Sequence, residues 1–295
     1  MNMIQSFSIK LDNKLCKQCG NCLEVCCQDT SEKNSSCVNP NSIKCIQCGH
    51  CFAVCGAKAI SYIDAQGNEI HSPVCSAIPS YDTLLSLFQQ RRSCRKFLSK
   101  KVEQEVLDKI LFSTTYTPSG GNRHSTKVLI LNNSDKRSSL LTKVRIIYKK
   151  RAKILNNNLI KSLLYPIANA TIRAYMKDKH YARRINEIFE SLLAGQDPVF
   201  YNAPVCLIFY SEVKIPTPRE DSILKASYAA LSAHTLGIGT CFVTLAQSAL
   251  NSSAECKNIL GLKKSDDIHT VLVLGYPETH FYRNPLRENI SVKTI

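Results

Sequence analysis

The sequence predicts an α+β chain of two domains, in which a small cysteine-rich module precedes a larger sandwich of strands and helices. The chain has 295 residues, which is more than one average domain. Ten of its fifteen cysteines lie between positions 16 and 55. Beyond residue 80, helical runs alternate with short apolar runs typical of buried strands. We therefore expect a first domain at 1–64, a linker at 65–80 and a second domain at 81–295.

The composition is that of a globular protein. Hydrophobic residues make up 44% and charged residues 21%, enough to bury a large core. Residues 1–14 lack the apolar run of a signal peptide, and no stretch approaches the roughly 18 apolar residues of a membrane span. The expectation is a soluble, cytoplasmic protein with no membrane partner. In a reducing cytosol, crowded cysteines favour metal binding over a disulfide scaffold.

The cysteine-rich module contains an internal repeat. A C-x2-C-x2-C-x3-C run recurs after 29 residues, and Gly20 and Gly49 allow the tight turns that such runs need. The eight cysteines are Cys16, Cys19, Cys22 and Cys26 in the first run and Cys45, Cys48, Cys51 and Cys55 in the second. Soft thiolates suit iron and sulfide. Zinc is the alternative, but it needs only four thiolates and leaves the third cysteine of each run unused.

This run resembles that of clostridial-type ferredoxins over about residues 8–64. The resemblance implies two [4Fe-4S] clusters with crossed ligation, because the fourth cysteine of each run binds the cluster of the other run. Cluster one would take Cys16, Cys19, Cys22 and Cys55, and cluster two would take Cys45, Cys48, Cys51 and Cys26. The family usually has proline after the fourth cysteine, whereas this chain has Cys27 and Gly56, so Cys27 competes with Cys26 as a ligand. Cys37 lies outside the repeat and is expected to be a free thiol.

The remaining elements follow in order. Residues 64–79 predict a hairpin turn followed by the linker. Helical spacing predicts helices at 81–90, with Ser80 as N-cap, at 102–112 and at 222–237. Apolar runs predict strands at 127–132, 203–210 and 269–276. Residues 149–196 are basic and partly helical.

Four motifs occur between and after these elements: RRSCR at 91–95, PSGGN at 118–122, LGIGTCF at 236–242, and LGYP at 274–277 leading to Arg287. Taken singly, the first could be a basic helix end, the second an ordinary turn and Gly237 a helix C-cap. Their joint order resembles the FMN-dependent nitroreductase family over about residues 81–295. The resemblance implies a nitroreductase-type α/β sandwich, with a mixed sheet flanked by helices, in a homodimer that binds FMN.

The resemblance also implies roles for individual residues. The flavin phosphate would be bound by Arg91, Arg92, Ser93 and Arg287, since guanidinium and hydroxyl groups are good phosphate donors. Arg95 would face the pyrimidine edge, where positive charge stabilises the reduced ring. The flavin of the neighbouring subunit would be reached by Pro118, Ser119 and Asn122. The isoalloxazine ring would lie along Gly239, Thr240 and Cys241, a segment expected to form a turn.

Some positions leave alternatives open. The family pattern P-S-S-x-N-x-Q-P-W is altered at Gly120 and at residues 124–126, which changes the pocket wall. His124 is either a proton donor or a surface histidine, and Cys241 is either redox-active or a buried structural thiol. The family resemblance implies that 149–196 forms a lid and that the tail after Pro285 extends over the partner.

These inferences predict an enzyme that passes electrons from two clusters to FMN and on to nitroaromatic or quinone acceptors. No G-x-G-x-x-G follows a strand, so the donor is open between NAD(P)H and a reduced ferredoxin-like protein. Reductive dehalogenation or another flavin-reductase reaction is an alternative. A further alternative is a redox regulator that binds nucleic acid through the net charge of +15. Against it, the basic residues are scattered and no helix-turn-helix or other nucleic-acid-binding motif occurs.

Overall fold

The computed structural model describes residues 7–28, 36–70, 77–168, 170–212, 214 and 216–295, without the side chain of residue 171. Part of the predicted linker, 71–76, lies outside the described residues. The chain forms two compact units. The first consists of Met1–Pro79 and Pro118–His124, and the second of Ser80–Thr117 and Ser125–Ile295.

The regular elements of the described residues are as follows. The strands are β1 Phe7–Leu11, β2 Ile60–Asp64, β3 Glu69–Ile70, β4 Lys127–Leu131, β5 Val205–Glu212, β6 Gly239–Phe242 and β7 Asp266–Gly275. The helices are α1 Asn21–Glu24, α2 His50–Val54, α3 Tyr81–Gln90, α4 Gln104–Ser113, α5 Ser134–Asn156, α6 Asn158–Leu164, α7 Ala170–Lys177, α8 Lys179–Leu193, α9 Pro218–Thr235, α10 Thr244–Asn251 and α11 Ala254–Ile259. Among these helices, none combines the length and apolar character needed to cross a bilayer.

The first unit contains a three-stranded antiparallel sheet in the order β1-β2-β3. Asp64 closes the predicted hairpin turn, since its Oδ1 accepts hydrogen bonds from the backbone N–H groups of Gln66 and Asn68 at 2.9 and 2.8 Å. The buried core is small and is built on Ile9, Val38 and Ile60. Cysteines of both runs pack against this core: Cys22, Cys26, Cys51 and Cys55. Modules with so few buried apolar residues commonly depend on a metal or a covalent cross-link for stability.

The second unit is built on a four-stranded sheet in the order β4-β5-β7-β6. Every pairing between these strands is antiparallel. Among the described residues, the one parallel pairing is the isolated bridge between Ser93 and Thr240. The segment predicted to be a turn at 239–241 is strand β6, because it pairs along β7 from Gly239 to Phe242.

Helices cover both faces of the four-stranded sheet. Alternate side chains of β5 point to opposite faces, as the two-residue period of a strand requires. Cys206 and Ile208 pack with α5, α8, α10 and α11, whereas Leu207 and Phe209 pack with α4 and α9. The α+β sandwich expected from the sequence is therefore confirmed.

Most predicted elements are present, with shifted boundaries. Helix α3 spans the predicted residues 81–90, and Ser80 Oγ accepts a hydrogen bond from the backbone N–H of Thr83 at 3.2 Å. Helix α4 begins two residues later than predicted, because its N-cap residue Glu103 has an extended backbone. The Glu103 carboxylate accepts a hydrogen bond from the Tyr276 hydroxyl at 2.5 Å. The basic region 149–196 contains parts of four helices, α5 to α8.

Candidate functional site

The two cysteine runs of the first unit are shaped by a glycine in each half. Gly20 and Gly49 directly precede α1 and α2, with φ angles of 80° and 78°. Such left-handed conformations are unfavourable for other residues. At Gly49 a side chain would also clash, since a Cβ atom there would lie 2.0 Å from Tyr62 Oη. The repeat therefore bends each run in the same way, but its second half is more tightly packed.

The cysteines line two partly open cavities, one somewhat larger than the other. The larger cavity is lined by Cys26, Cys27, Cys45, Cys48 and Cys51. The smaller cavity is lined by Cys16, Cys19, Cys22, Cys37 and Cys55. Each cavity thus combines the first three cysteines of one run with the fourth cysteine of the other. This arrangement of thiols fits the crossed ligand sets predicted for cluster two and cluster one, respectively.

Thiols surround these cavities without converging on one point. Within the described residues, no three His, Cys, Asp or Glu side chains are grouped so as to hold a single metal ion. The zinc alternative would need four thiolates at about 2.3 Å from one ion.

Cys26 and Cys27 both reach the larger cavity but differ in exposure. Cys26 is half-buried and packs against the core of the first unit. Cys27 is exposed, and its Sγ accepts a hydrogen bond from the Gln28 side-chain amide at 3.5 Å. The packing therefore favours Cys26 as the fourth ligand, although its assignment stays a prediction.

Cys37, expected from the sequence to keep its thiol, forms no disulfide in the structure. It is buried in the smaller cavity, and its Sγ lies 2.9 Å from Cys16 Sγ. The hydrogen bond with Cys16, together with burial, raises the pKa of Cys37 to about 11. Burial likewise raises the pKa of Cys51 to about 11. These thiols lie in surroundings that disfavour a free thiolate unless a positive group compensates it.

In the second unit, the segment 91–95 lies against strand β6. It leaves the end of α3, and its central residue Ser93 forms the bridge to Thr240. The backbone N–H of Cys94 donates to the Thr240 carbonyl at 2.8 Å. Gly239 is required at this contact, because a Cβ atom there would lie 2.8 Å from Cys94 Cβ. Two motifs that are far apart in the sequence are thereby brought together.

The meeting point of these motifs is positively charged. Burial raises the pKa of Cys241, while Arg95, a hydrogen bond with Ser93 and Arg91 oppose that rise. Near the end of α9, burial lowers the pKa of His234, and Arg91 and Arg92 lower it further. Three guanidinium groups therefore act on this small region, which is the environment that an anionic group such as a phosphate prefers.

The contacts of these arginines add residues that the motifs did not reveal. The Arg92 guanidinium donates to the backbone oxygens of Gln89 and Arg91 and to Asn284 Oδ1, the last at 3.3 Å. The Arg95 guanidinium carbon lies 6.0 Å from the centre of the Tyr201 ring. Tyr201 and Asn284 could not be found from the sequence, because they belong to loops with no motif of their own.

The remaining predicted site residues belong to two other segments. Arg287 is in the exposed tail that follows β7. Pro118, Ser119 and Asn122 belong to the segment Pro118–His124, which groups with the first unit. There Ser119 Oγ accepts from the His124 backbone N–H at 3.0 Å, and the Asn122 side-chain amide donates to the Ile46 carbonyl at 2.8 Å. His124 is exposed, as a surface histidine would be, and its Nε2 lies 2.8 Å from Asn122 Oδ1.

Residues 88–276 match the Nitroreductase family, and the chain belongs to that family. Among solved structures, it is similar to a nitroreductase with bound FMN from Bacteroides fragilis NCTC 9343, with 17% identity over 72% of this chain and 98% of that chain and a TM-score of 0.52. A nitroreductase with bound FMN from Desulfitobacterium hafniense DCB-2 is 20% identical over 71% of this chain and 97% of that one, with a TM-score of 0.51. These similarities concern the fold. Comparison with curated proteins gives no match.

Proposed function

We propose that this chain is an iron-sulfur flavoprotein oxidoreductase, which passes electrons from two [4Fe-4S] clusters to FMN and on to nitroaromatic or quinone acceptors. The observation that carries the proposal is the pair of cysteine-lined cavities in a chain that also belongs to the nitroreductase family. Each cavity offers the four thiols that one cubane needs, and the family supplies a fold suited to flavin chemistry.

Binding of FMN is supported by the arginines of the second unit. Both similar solved structures hold FMN. In this chain, the charge of Arg91, Arg92 and Arg95 near β6 would attract the flavin phosphate and the electron-rich pyrimidine edge. Ser93 adds a hydroxyl donor beside Thr240. Arg287 and residues 118–122 would complete the site in a homodimer.

When bound, the clusters would carry single electrons and the flavin would collect two for the acceptor. The protein residues need not react covalently. The arginines would hold anionic groups, and the absence of a side chain at Gly239 lets β6 lie in close contact with Cys94. Electrons would enter from NAD(P)H or from a reduced ferredoxin-like protein.

The cofactor content tests this proposal directly. Protein purified without oxygen should carry about eight iron, eight acid-labile sulfide and one FMN per chain. Zinc in place of iron, or the absence of flavin, would contradict the proposal. The variant Arg95→Ala should lose flavin relative to Lys101→Ala, a control that removes an exposed charge outside the motifs.

The donor and the acceptor are tested separately. Anaerobic titration with NADPH and with a reduced low-potential donor should bleach the flavin absorbance through one of the two routes. Product analysis with nitro, quinone and halogenated compounds distinguishes the proposed reaction from reductive dehalogenation. Salt-dependent binding of DNA or RNA would instead favour a redox regulator that binds nucleic acid.

A further inference from the structure

The thiols of the smaller cavity outnumber the corners of a cubane. Five cysteines line it, and one [4Fe-4S] cluster takes four. The fifth is Cys37, which lies outside both runs. It follows the first run in the chain and precedes the second, so the repeat assigns it no role.

Cys37 is held in place by its surroundings. It is 8% exposed, and its neighbour Val38, at 3%, packs in the core of the first unit with Ile9 and Ile60. The Cys37 Sγ lies 2.9 Å from Cys16 Sγ, so the two sulfurs are in direct contact. If Cys16 binds iron, the Cys37 thiol therefore faces the ligand sulfur and can donate a hydrogen bond to it.

We propose that Cys37 is a positioning residue that donates a hydrogen bond from its thiol to the ligand sulfur of Cys16 and thereby raises the reduction potential of cluster one. The inference rests on the proposed function, because it presumes that clusters bind. Hydrogen bonds to ligand sulfurs are one of the factors that set cluster potentials. A hydrogen-bond donor stabilises the reduced cluster more than the oxidised cluster, since the reduced cluster carries one more negative charge.

The larger cavity lacks an equivalent buried donor among the described cysteines. Its extra thiol, Cys27, is exposed and receives a hydrogen bond from Gln28. The hydrogen bond of Cys37 would therefore make the two clusters unequal, although their ligand runs have the same spacing.

The matched variants Cys37→Ala and Cys37→Ser test the proposal. They differ by one hydroxyl group, and only serine can donate a hydrogen bond. Both are purified without oxygen, and the clusters are titrated by potentiometry with detection by electron paramagnetic resonance. Both variants should retain eight iron. Cys37→Ala should lower the equilibrium constant for reduction of one cluster roughly tenfold, which is about 59 mV for a one-electron couple. Cys37→Ser should show a smaller shift.

Three outcomes would overturn this inference alone. Unchanged cluster reduction potentials in Cys37→Ala would show that the Cys37 thiol does not tune cluster one. Equal shifts in the two variants would indicate a packing effect. Loss of four iron in Cys37→Ala would make Cys37 a ligand. If the wild-type protein carried no iron and sulfide, both the inference and the proposed function would fail.

Discussion

Gly20 and Gly49 occupy equivalent positions in the repeat but differ in their surroundings. Both have a left-handed backbone, yet a Cβ atom would meet nothing within 4 Å at Gly20 and would clash with Tyr62 at Gly49. The Tyr62 ring has little room to move, since it packs against Phe7 and Phe52 with ring centroids 4.9 and 4.6 Å apart. A substitution at Gly20 therefore measures the cost of backbone strain alone, whereas one at Gly49 adds the cost of steric overlap.

We expect Gly20→Ala to cost about 1–2 kcal/mol through backbone strain alone. Gly49→Ala should cost about 1–3 kcal/mol more, because overpacking is added. Thermal unfolding of the two variants measures the difference. Tyr62→Phe removes the hydroxyl group and should partly rescue Gly49→Ala. Equal losses of stability in Gly20→Ala and Gly49→Ala would contradict the predicted clash with Tyr62.

His234 makes stability depend on pH. Burial and the nearby arginines lower its pKa below the usual value of 6.5. As the pH falls, the unfolded chain therefore takes up the proton before the folded chain does. The contribution of His234 to stability is complete above about pH 6.5 and is lost as the pH falls through the folded pKa.

Wild-type protein should consequently lose more stability between about pH 7.5 and pH 5.5 than the variant His234→Gln. Urea unfolding at both pH values measures this loss. His180→Gln, which alters an exposed histidine, should behave like the wild type. A wild-type loss no larger than that of His234→Gln would show that His234 does not contribute.

At the scale of elements, helix α8 depends on its cap. Asp178 Oδ1 accepts hydrogen bonds from the backbone N–H groups of His180 and Tyr181 at 2.8 and 3.1 Å. These donors would otherwise lack partners in the first turn. Ile185, Ile188 and Leu192 bury the apolar face of the helix in the core beside α5.

Asp178→Ala should lower the free energy of unfolding by about 1 kcal/mol, because the cap is lost. Asp178→Asn keeps the accepting oxygen and should lose only a few tenths of that amount. The midpoints of urea unfolding give both values. If the asparagine variant were as unstable as the alanine variant, charge rather than capping would stabilise the helix.

At the scale of the molecule, crossed ligation makes a prediction about pairs of cysteines. Cys16 and Cys55 line the same cavity although they belong to different runs. Cys51 belongs to the same run as Cys55 but lines the other cavity. The pairs therefore distinguish ligation across runs from ligation within one run.

The double variant Cys16→Ala/Cys55→Ala should lose about four of eight iron, since both residues would serve cluster one. Cys16→Ala/Cys51→Ala should lose nearly all eight, since both clusters are affected. Iron and acid-labile sulfide analysis of protein purified without oxygen measures the loss. Loss of nearly all eight iron in both double variants would instead indicate that each run binds its own cluster, because Cys16 would then serve one cluster and Cys51 and Cys55 the other.

The sequence alone predicted the features that depend on local spacing and periodicity. The spacing of the cysteines predicted eight candidate ligands, because ligand geometry depends on local spacing within each run. Helical and strand periodicity predicted α3, β4, β5, β7 and α9, because these patterns follow from the local geometry of the backbone. The order of four short motifs predicted the nitroreductase family, which residues 88–276 match.

Only the tertiary structure could place residues that meet across long distances in the chain. It puts Cys37 beside Cys16, makes 239–242 a strand on β7, and groups Pro118–His124 with the first unit. The physical reason is that these contacts depend on how separate elements pack. A thiol outside any repeat, or a glycine pressed against Cys94, leaves no periodic pattern in the sequence.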